Sequence, residues 1–297
     1  MNVRRTQRAV IIHKEASNAS VVSMTDSGLP DTTAGNHEPV RRGALEPLAG
    51  TRVLVSGATS GLGHAMASAL VKAGAEVIVT GRQLARAQAS AAGLGPRAVG
   101  LALDVRDEAS VRAAVEQGWE RLGRIDLLVS NAGIGMRTVN PRFLTDPQPF
   151  WEVSPEGFRA VLDTKATGSF LLARELVPRM LDAGGGRVVN ISMNEQTMTR
   201  RGFVPYGPSG AAVEALSRVM AADLAETSVR VNLLLPGGAT ATGMVPEDAP
   251  AEVRASLLDP AVMGPPIVWL ASPDAEDVHD ERIVASDFDS WLASRTP

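Results

Sequence analysis

Cysteine is absent from all 297 residues, so disulfides, thiolate nucleophiles and zinc–thiolate centres are excluded. Aromatic residues make up 4% of the chain and include a single tyrosine, Tyr206. Any chemistry that needs a phenol must use that residue. The net charge is only −4, which gives no electrostatic reason to expect nucleic acid or an anionic membrane surface as a partner. No apolar run approaches the roughly 20 residues that span a bilayer. "AVII" at 9–12 is too short for a signal-peptide core. These absences lead to the expectation of a soluble, cytoplasmic protein that works on a small molecule and carries no metal.

What is present is an ordinary globular composition, 44% hydrophobic and 21% charged, in a chain long enough to bury a large core. Residues 1–47 show little periodicity and are expected to form a mobile tail. From Thr51 onward the pattern changes. Val/Ile/Leu-rich runs at 52–56, 76–80, 98–103, 125–130, 187–192, 229–235 and 282–286 alternate with Ala-rich helical stretches. Unbroken apolar strands separated by helices predict a parallel sheet covered on both faces. Right-handed crossovers make that sheet doubly wound, an α/β fold. No composition break divides the rest, so 48–297 reads as one domain with built-in substrate loops.

"SGATSGLGHAMASAL" follows the first strand and opens the first helix. Gly57, Gly61 and Gly63 let the backbone turn tightly and approach a pyrophosphate, which sits on free amides, Leu62 among them, at the helix N-terminus. Ser56, Thr59 and Ser60 can add hydroxyl contacts. This is the logic of a dinucleotide-binding, Rossmann-like domain. An acidic residue at the end of the second strand would select NAD by its ribose hydroxyl. The chain has Thr80, Gly81 and Arg82 there instead. Arg82 either pairs with a 2′-phosphate, favouring NADP(H) over NAD(H), or opens the next helix in solvent.

Further motifs, in order, carry a resemblance. "LDV" at 103–105, "SNAG" at 130–133, "RVVNIS" at 187–192, the "FVPYGPSG" helix start around Tyr206 and "LPGGATATGM" at 235–244 are similar to segments of the short-chain dehydrogenase/reductase family, over essentially all of 51–290. The resemblance implies that Asp104, beside Val105, meets the adenine amino group and that Asn131, Ala132 and Gly133 form a turn against the cofactor. It implies that Pro236 and Gly237 close over the nicotinamide, with Thr240 or Thr242 on its carboxamide. It also implies hydride transfer between the nicotinamide and a carbonyl or alcohol carbon, with Tyr206 moving the proton. A free phenol titrates near 10, and the family lowers that value with a lysine one helical turn further on.

Here the pattern departs. Gly210 stands at the lysine position, Lys165 at the asparagine position and Met193 at the serine position. Either Lys165 supplies the missing charge from another helix, with Ser192 or Asn194 replacing the missing hydroxyl, or the catalytic set has decayed. Met193 makes the pocket more apolar. The loop at 133–158, with Phe143, Phe150 and Trp151, either covers a hydrophobic or polycyclic carbonyl substrate or packs onto the body or into a subunit contact. Arg200 and Arg201 either meet an anionic substrate group or face water. Asp280 replaces a glycine common in the family.

Three functions compete: an NADP(H)-dependent oxidoreductase with a rearranged site, a nucleotide-binding relative without redox activity, and a lyase or cyclase using Tyr206 as acid or base. A homodimer or homotetramer, joined through about 154–182 and 205–225 and the C-terminal segment, is implied by the resemblance alone.

Overall fold

A computed structural model describes residues 46–295; the tail expected over 1–47 lies almost wholly outside the described residues. The seven apolar runs form the strands β1 (Arg52–Val55), β2 (Glu76–Gly81), β3 (Ala98–Ala102), β4 (Leu127–Ser130), β5 (Gly186–Ile191), β6 (Val229–Leu235) and β7 (Arg282–Val284). They pair in the order β3-β2-β1-β4-β5-β6-β7, every pair parallel. The doubly wound α/β sheet expected from the sequence is therefore the observed architecture.

Strand alternation divides the core into two layers. Val53 and Val55 face one way, against α1 (Gly61–Lys72). Leu54 faces the other way, toward α3 (Glu108–Leu122). The connection between β2 and β3 is α2 (Leu84–Leu94). Gly100 of β3 lies so close to the α2 backbone that a Cβ there would stand within van der Waals overlap of Ala87 and Gln88. After β4 a long excursion leads to α4 (Pro155–Leu162). A π-helical turn at Asp163–Thr167 then joins α4 to α5 (Gly168–Asp182) without a break. Such turns insert one extra residue per turn and re-aim the side chains they carry. Short α6 (Glu195–Met198) and long α7 (Tyr206–Asp223) follow β5. The chain closes with α8 (Ala251–Ala255), α9 (Gly264–Ala271) and α10 (Phe288–Ala293). No described helix is long and apolar enough to cross a membrane.

Asp280, the departure before β7, has φ 58°. That is the left-handed region, which glycine fills freely and aspartate tolerates better than most residues. Its carboxylate also pairs with Arg218 at 2.6 Å.

The strand order reverses between β1 and β4, and the crevice opens at their carboxyl ends. Ser56 ties the two ends together. It is fully buried, and its hydroxyl accepts from the amides of Asn131 at 2.9 Å and Ala132 at 3.0 Å while donating to the Val129 carbonyl at 3.3 Å. Alanine at 56 would leave the Ala132 amide without its acceptor and the Asn131 amide with only the Val129 carbonyl at 3.1 Å, a cost of about 1–3 kcal/mol for the unpaired group. Ser56→Ala is therefore expected to lose about 1–3 kcal/mol in urea unfolding, with cofactor affinity falling in parallel because the tie between the two turns is weakened.

Candidate active site

A cleft of about 830 Å³ lies across the carboxyl ends of the strands. At one end it is floored by the glycine turn. Gly57 and Gly61 have φ 63° and 57°, a conformation that side chains resist. Thr59, Ser60, Gly61 and Leu62 line the cleft at the start of α1, where the first amides of a helix have no intrahelical acceptor. Gly63 and Ser56 do not line it. Both were expected as cofactor contacts, and both instead support the turn. A Cβ at Gly63 would strike the Asn131 side chain and the Gly57 carbonyl. Asn131 Nδ2 donates to the carbonyls of Ser56 and Gly57 at 3.0 and 3.1 Å. Asn131 thus holds the glycine turn as well as lining the cleft beside Ala132 and Gly133.

At the ribose end, Arg82 and Arg86 line a side branch with Thr59 and Gly81. No carboxylate lines that branch among the described residues. Asp104 lies close by, but Arg106 grips it through 2.9 and 2.6 Å bonds to its two oxygens. That guanidinium holds the carboxyl below its ordinary range. The adenine contact expected of Asp104 would be shared with this pair. Val105, buried against Gly168, completes the wall. Free helix amides, glycines and two arginines match the chemistry of a phosphorylated dinucleotide. The segment after β6 forms the opposite rim. Pro236, Thr240 and Thr242 line the cleft. Gly237 does not; its φ is 97°, and a Cβ there would strike Ser286.

The other end gathers Tyr206, Lys165, Ser192, Met193 and Asn194 around one space. Tyr206 opens α7, and its hydroxyl reaches only the Met244 sulfur, at 3.9 Å. Burial pushes the phenol above its usual value. Lys165 projects from the π-helical turn, is 7% exposed, and donates to the Ile191 carbonyl at 2.9 Å. Burial lowers its ammonium to about 8, against the attraction of Glu214. Relocation of the charge to Lys165, one of the two readings of the sequence, does not take the form of an ammonium bonded to the phenol, because Lys165 bonds the Ile191 carbonyl. Lys165 is drawn toward β5 and Glu214.

The vacancy expected at 210 is filled. A Cβ on Gly210 would stand 2.7 Å from Met193 Cε and 2.8 Å from its sulfur. The methionine that replaces serine occupies the volume that a larger residue at 210 would need. Ser192 is not free to replace that serine either, since its hydroxyl donates to Glu214 at 2.6 Å. Glu214 also receives Arg282 at 2.9 Å, and Arg282 reaches the Met193 carbonyl at 3.1 Å. Asn194 donates to the Gly237 carbonyl at 2.8 Å, which makes it a strut for the rim.

Glu214 and Arg282 were not anticipated. Glu214 had a sequence signal, since 206, 210 and 214 share one helical face. Arg282, on β7, had none. Among the aromatic candidates, Phe143 lines the cleft and meets Phe203 edge-on at 5.4 Å. Phe150 and Trp151 are 67% and 72% exposed and lie outside the cleft, packing edge-on against each other at 5.2 Å. Their short helical turn carries them past the rim, which corrects the expectation that they line a substrate site.

Residues 51–252 match the family model described as short chain dehydrogenase, and the chain belongs to that family of oxidoreductases. It is 36% identical over 192 residues, 64% of this chain and 70% of the relative, to a D-threitol dehydrogenase of Mycolicibacterium smegmatis. A 5-keto-D-gluconate 5-reductase of Escherichia coli is 32% identical over 65% of this chain and 73% of its own. A 3-oxoacyl-(acyl-carrier-protein) reductase of Vibrio harveyi is 30% identical over 80% of this chain and 96% of its own. Among solved structures, a 3-ketoacyl-(acyl-carrier-protein) reductase of Brucella melitensis complexed with NADH superposes with a TM-score of 0.71 at 29% identity, covering 80% of this chain and 97% of its own.

Two outcomes follow from this geometry. Gly210→Lys should be strongly destabilising alone, because the methionine blocks it, and Met193→Ser should cost about 1–3 kcal/mol as a cavity. Together they should cost less than their sum by at least about 1 kcal/mol, a coupling read in a double-mutant cycle of urea unfolding. The second concerns pH. The unfolded lysine titrates near 10.5 and the folded one near 8, so between those values the unfolded chain holds a proton that the folded chain lacks. Stability should rise with pH across that window, by on the order of 3 kcal/mol. Lys165→Met should flatten the rise.

Proposed function

We propose that this protein is an NADP(H)-dependent carbonyl reductase acting on an apolar small molecule, in the cytoplasm and as a homodimer or homotetramer. The observation that carries the reading is one cleft holding both the phosphate-binding turn and the only phenol in the chain, Tyr206. Arg82 and Arg86, with no carboxylate beside them in their branch, support the 2′-phosphate form of the cofactor. The names of two relatives, a 5-keto reductase and a 3-oxoacyl reductase, point to carbonyl chemistry of the same kind. Half-exposed Phe158, Phe170 and Val219 on α4, α5 and α7 support self-association through those helices.

Bound NADPH would supply a hydride to the carbonyl carbon. The oxygen then gains an electron pair and needs a proton, and the Tyr206 hydroxyl is the group placed to give it. A phenol held above its usual value stays protonated at neutral pH and so is ready to donate. The reverse reaction would need the phenolate, which burial disfavours. Lys165 is a buried cation on the same floor, acting on the nascent phenolate through its field and not by contact. Met193, Phe143 and Phe203 provide the apolar walls.

Arg82→Ala should weaken NADPH binding at least tenfold in a fluorescence titration while leaving NADH nearly unchanged. Tyr206→Phe should bind NADPH normally yet lose at least about a hundredfold in carbonyl reduction. Undiminished turnover in that variant, or none in the parent with any carbonyl tested, would favour a nucleotide-binding relative without redox activity. The commitment of Ser192 to Glu214 fits that second reading.

A further inference from the structure

The charge of the cleft does not match the charge of the protein. The chain as a whole carries −4, yet the cleft is lined by Arg82, Arg86, Arg106, Arg137, Lys165 and Arg200 against one carboxylate, Asp104. That carboxylate is already paired with Arg106. Arg82, Arg86 and Arg106 stand at the cofactor end, where phosphates account for them. Lys165 is spent on the Ile191 carbonyl. Arg137 and Arg200 remain; Met136, next to the first, and Phe203, under the second, pack in one cluster with Tyr206. Neither forms an ion pair among the described residues, and both are exposed at the rim.

Their local settings differ in a useful way. Arg200 lies 4.7 Å over the Phe203 ring, and that ring is buried against Phe143. Stacking orients the planar guanidinium while leaving its edge donors free for a partner in its plane. Arg137 donates to the Gly243 carbonyl at 2.7 Å, so one of its five donors fixes the side chain across the rim and the others stay available. Arg201, the neighbour that sequence could not separate from Arg200, does not line the cleft. An uncharged hydrophobic ligand has no use for two cations at the mouth of its pocket. A ligand with an apolar body and an anionic end uses both the aromatic wall and the arginines.

We infer that the substrate carries an anionic group, a carboxylate or its equivalent, which Arg200 and Arg137 bind at the cleft mouth while the apolar body lies against Phe143 and Phe203. The inference rests on the reading of this cleft as a carbonyl-reductase site and deepens it by naming the substrate class.

The test is a binding measurement on the full chain saturated with NADP⁺. Titrate 3-phenylpropanoate and its uncharged amide, 3-phenylpropanamide, by calorimetry. The acid should bind at least tenfold more tightly than the amide. Arg200→Met should remove at least fivefold of the acid's affinity while leaving the amide and NADP⁺ unaffected, and Arg137→Met should remove at least fivefold of the acid's affinity. Arg200→Lys should retain part of the preference. Arg137→Met also releases the rim, so Arg200, whose side chain is exposed, provides the decisive variant. Equal binding of acid and amide would overturn the inference. So would an acid preference that survives Arg200→Met, or one that competes with NADP⁺ and disappears in Arg82→Ala. If NADP⁺ itself does not bind, the reductase reading fails separately, and the acid–amide comparison on the protein alone still decides the anion site by the same variants.

Discussion

A single buried hydroxyl holds the two halves of the sheet in register where the ligand must lie. Ser56 directly follows β1, and the amides from which it accepts belong to the turn after β4. Asn131 returns the tie by donating to the carbonyls of Ser56 and Gly57. The glycine turn, the start of α1 and the Asn-Ala-Gly turn therefore form one rigid unit. Parallel strands leave their carboxyl-end groups without ladder partners, and at the switch point two such ends diverge. Cross-bonding them satisfies buried polar groups and at the same time fixes the geometry of the phosphate site. The rest of the cleft hangs from this frame.

At the other end, packing and charge have been exchanged between elements. Gly210 and Met193 share one volume, so neither departure from the family pattern is understandable alone. A lysine at 210 would have brought a cation to Tyr206; the methionine brings apolar surface instead. The cations on this floor are Lys165, on a π-helical turn, and Arg282, on β7, and Glu214 faces both. Ser192 closes the circuit. The result is a polar network joining Ser192, Glu214 and Arg282 beside the apolar surface of Met193.

Much of this was legible beforehand. Seven apolar runs with helical connections specified a parallel sheet, because only a strand buried on both faces lacks polar alternation. Glycines after the first strand marked the phosphate turn, because few other residues tolerate φ near +60°. Arg82 and Tyr206 were found by position along that pattern. Ser56 and Gly63 stand behind the cleft lining and support the turn, and a sequence does not distinguish a residue that touches a ligand from one that props up its neighbour. Phe150 and Trp151 were misplaced for a related reason: an aromatic-rich loop signals burial somewhere, and only its path over the rim decides where.

By itself, then, the sequence determined the layer order, the cleft and the identity of its phenol, because those follow from local periodicity and from residues with unusual backbone freedom or unique chemistry. The direction of Lys165, the occupation of the space at Gly210, the joining of Glu214 to Arg282 across 68 residues and the separation of Arg200 from Arg201 were decided by the tertiary structure. Each depends on side chains from elements distant in the chain competing for one volume or one charge, and no local pattern records the outcome of that competition.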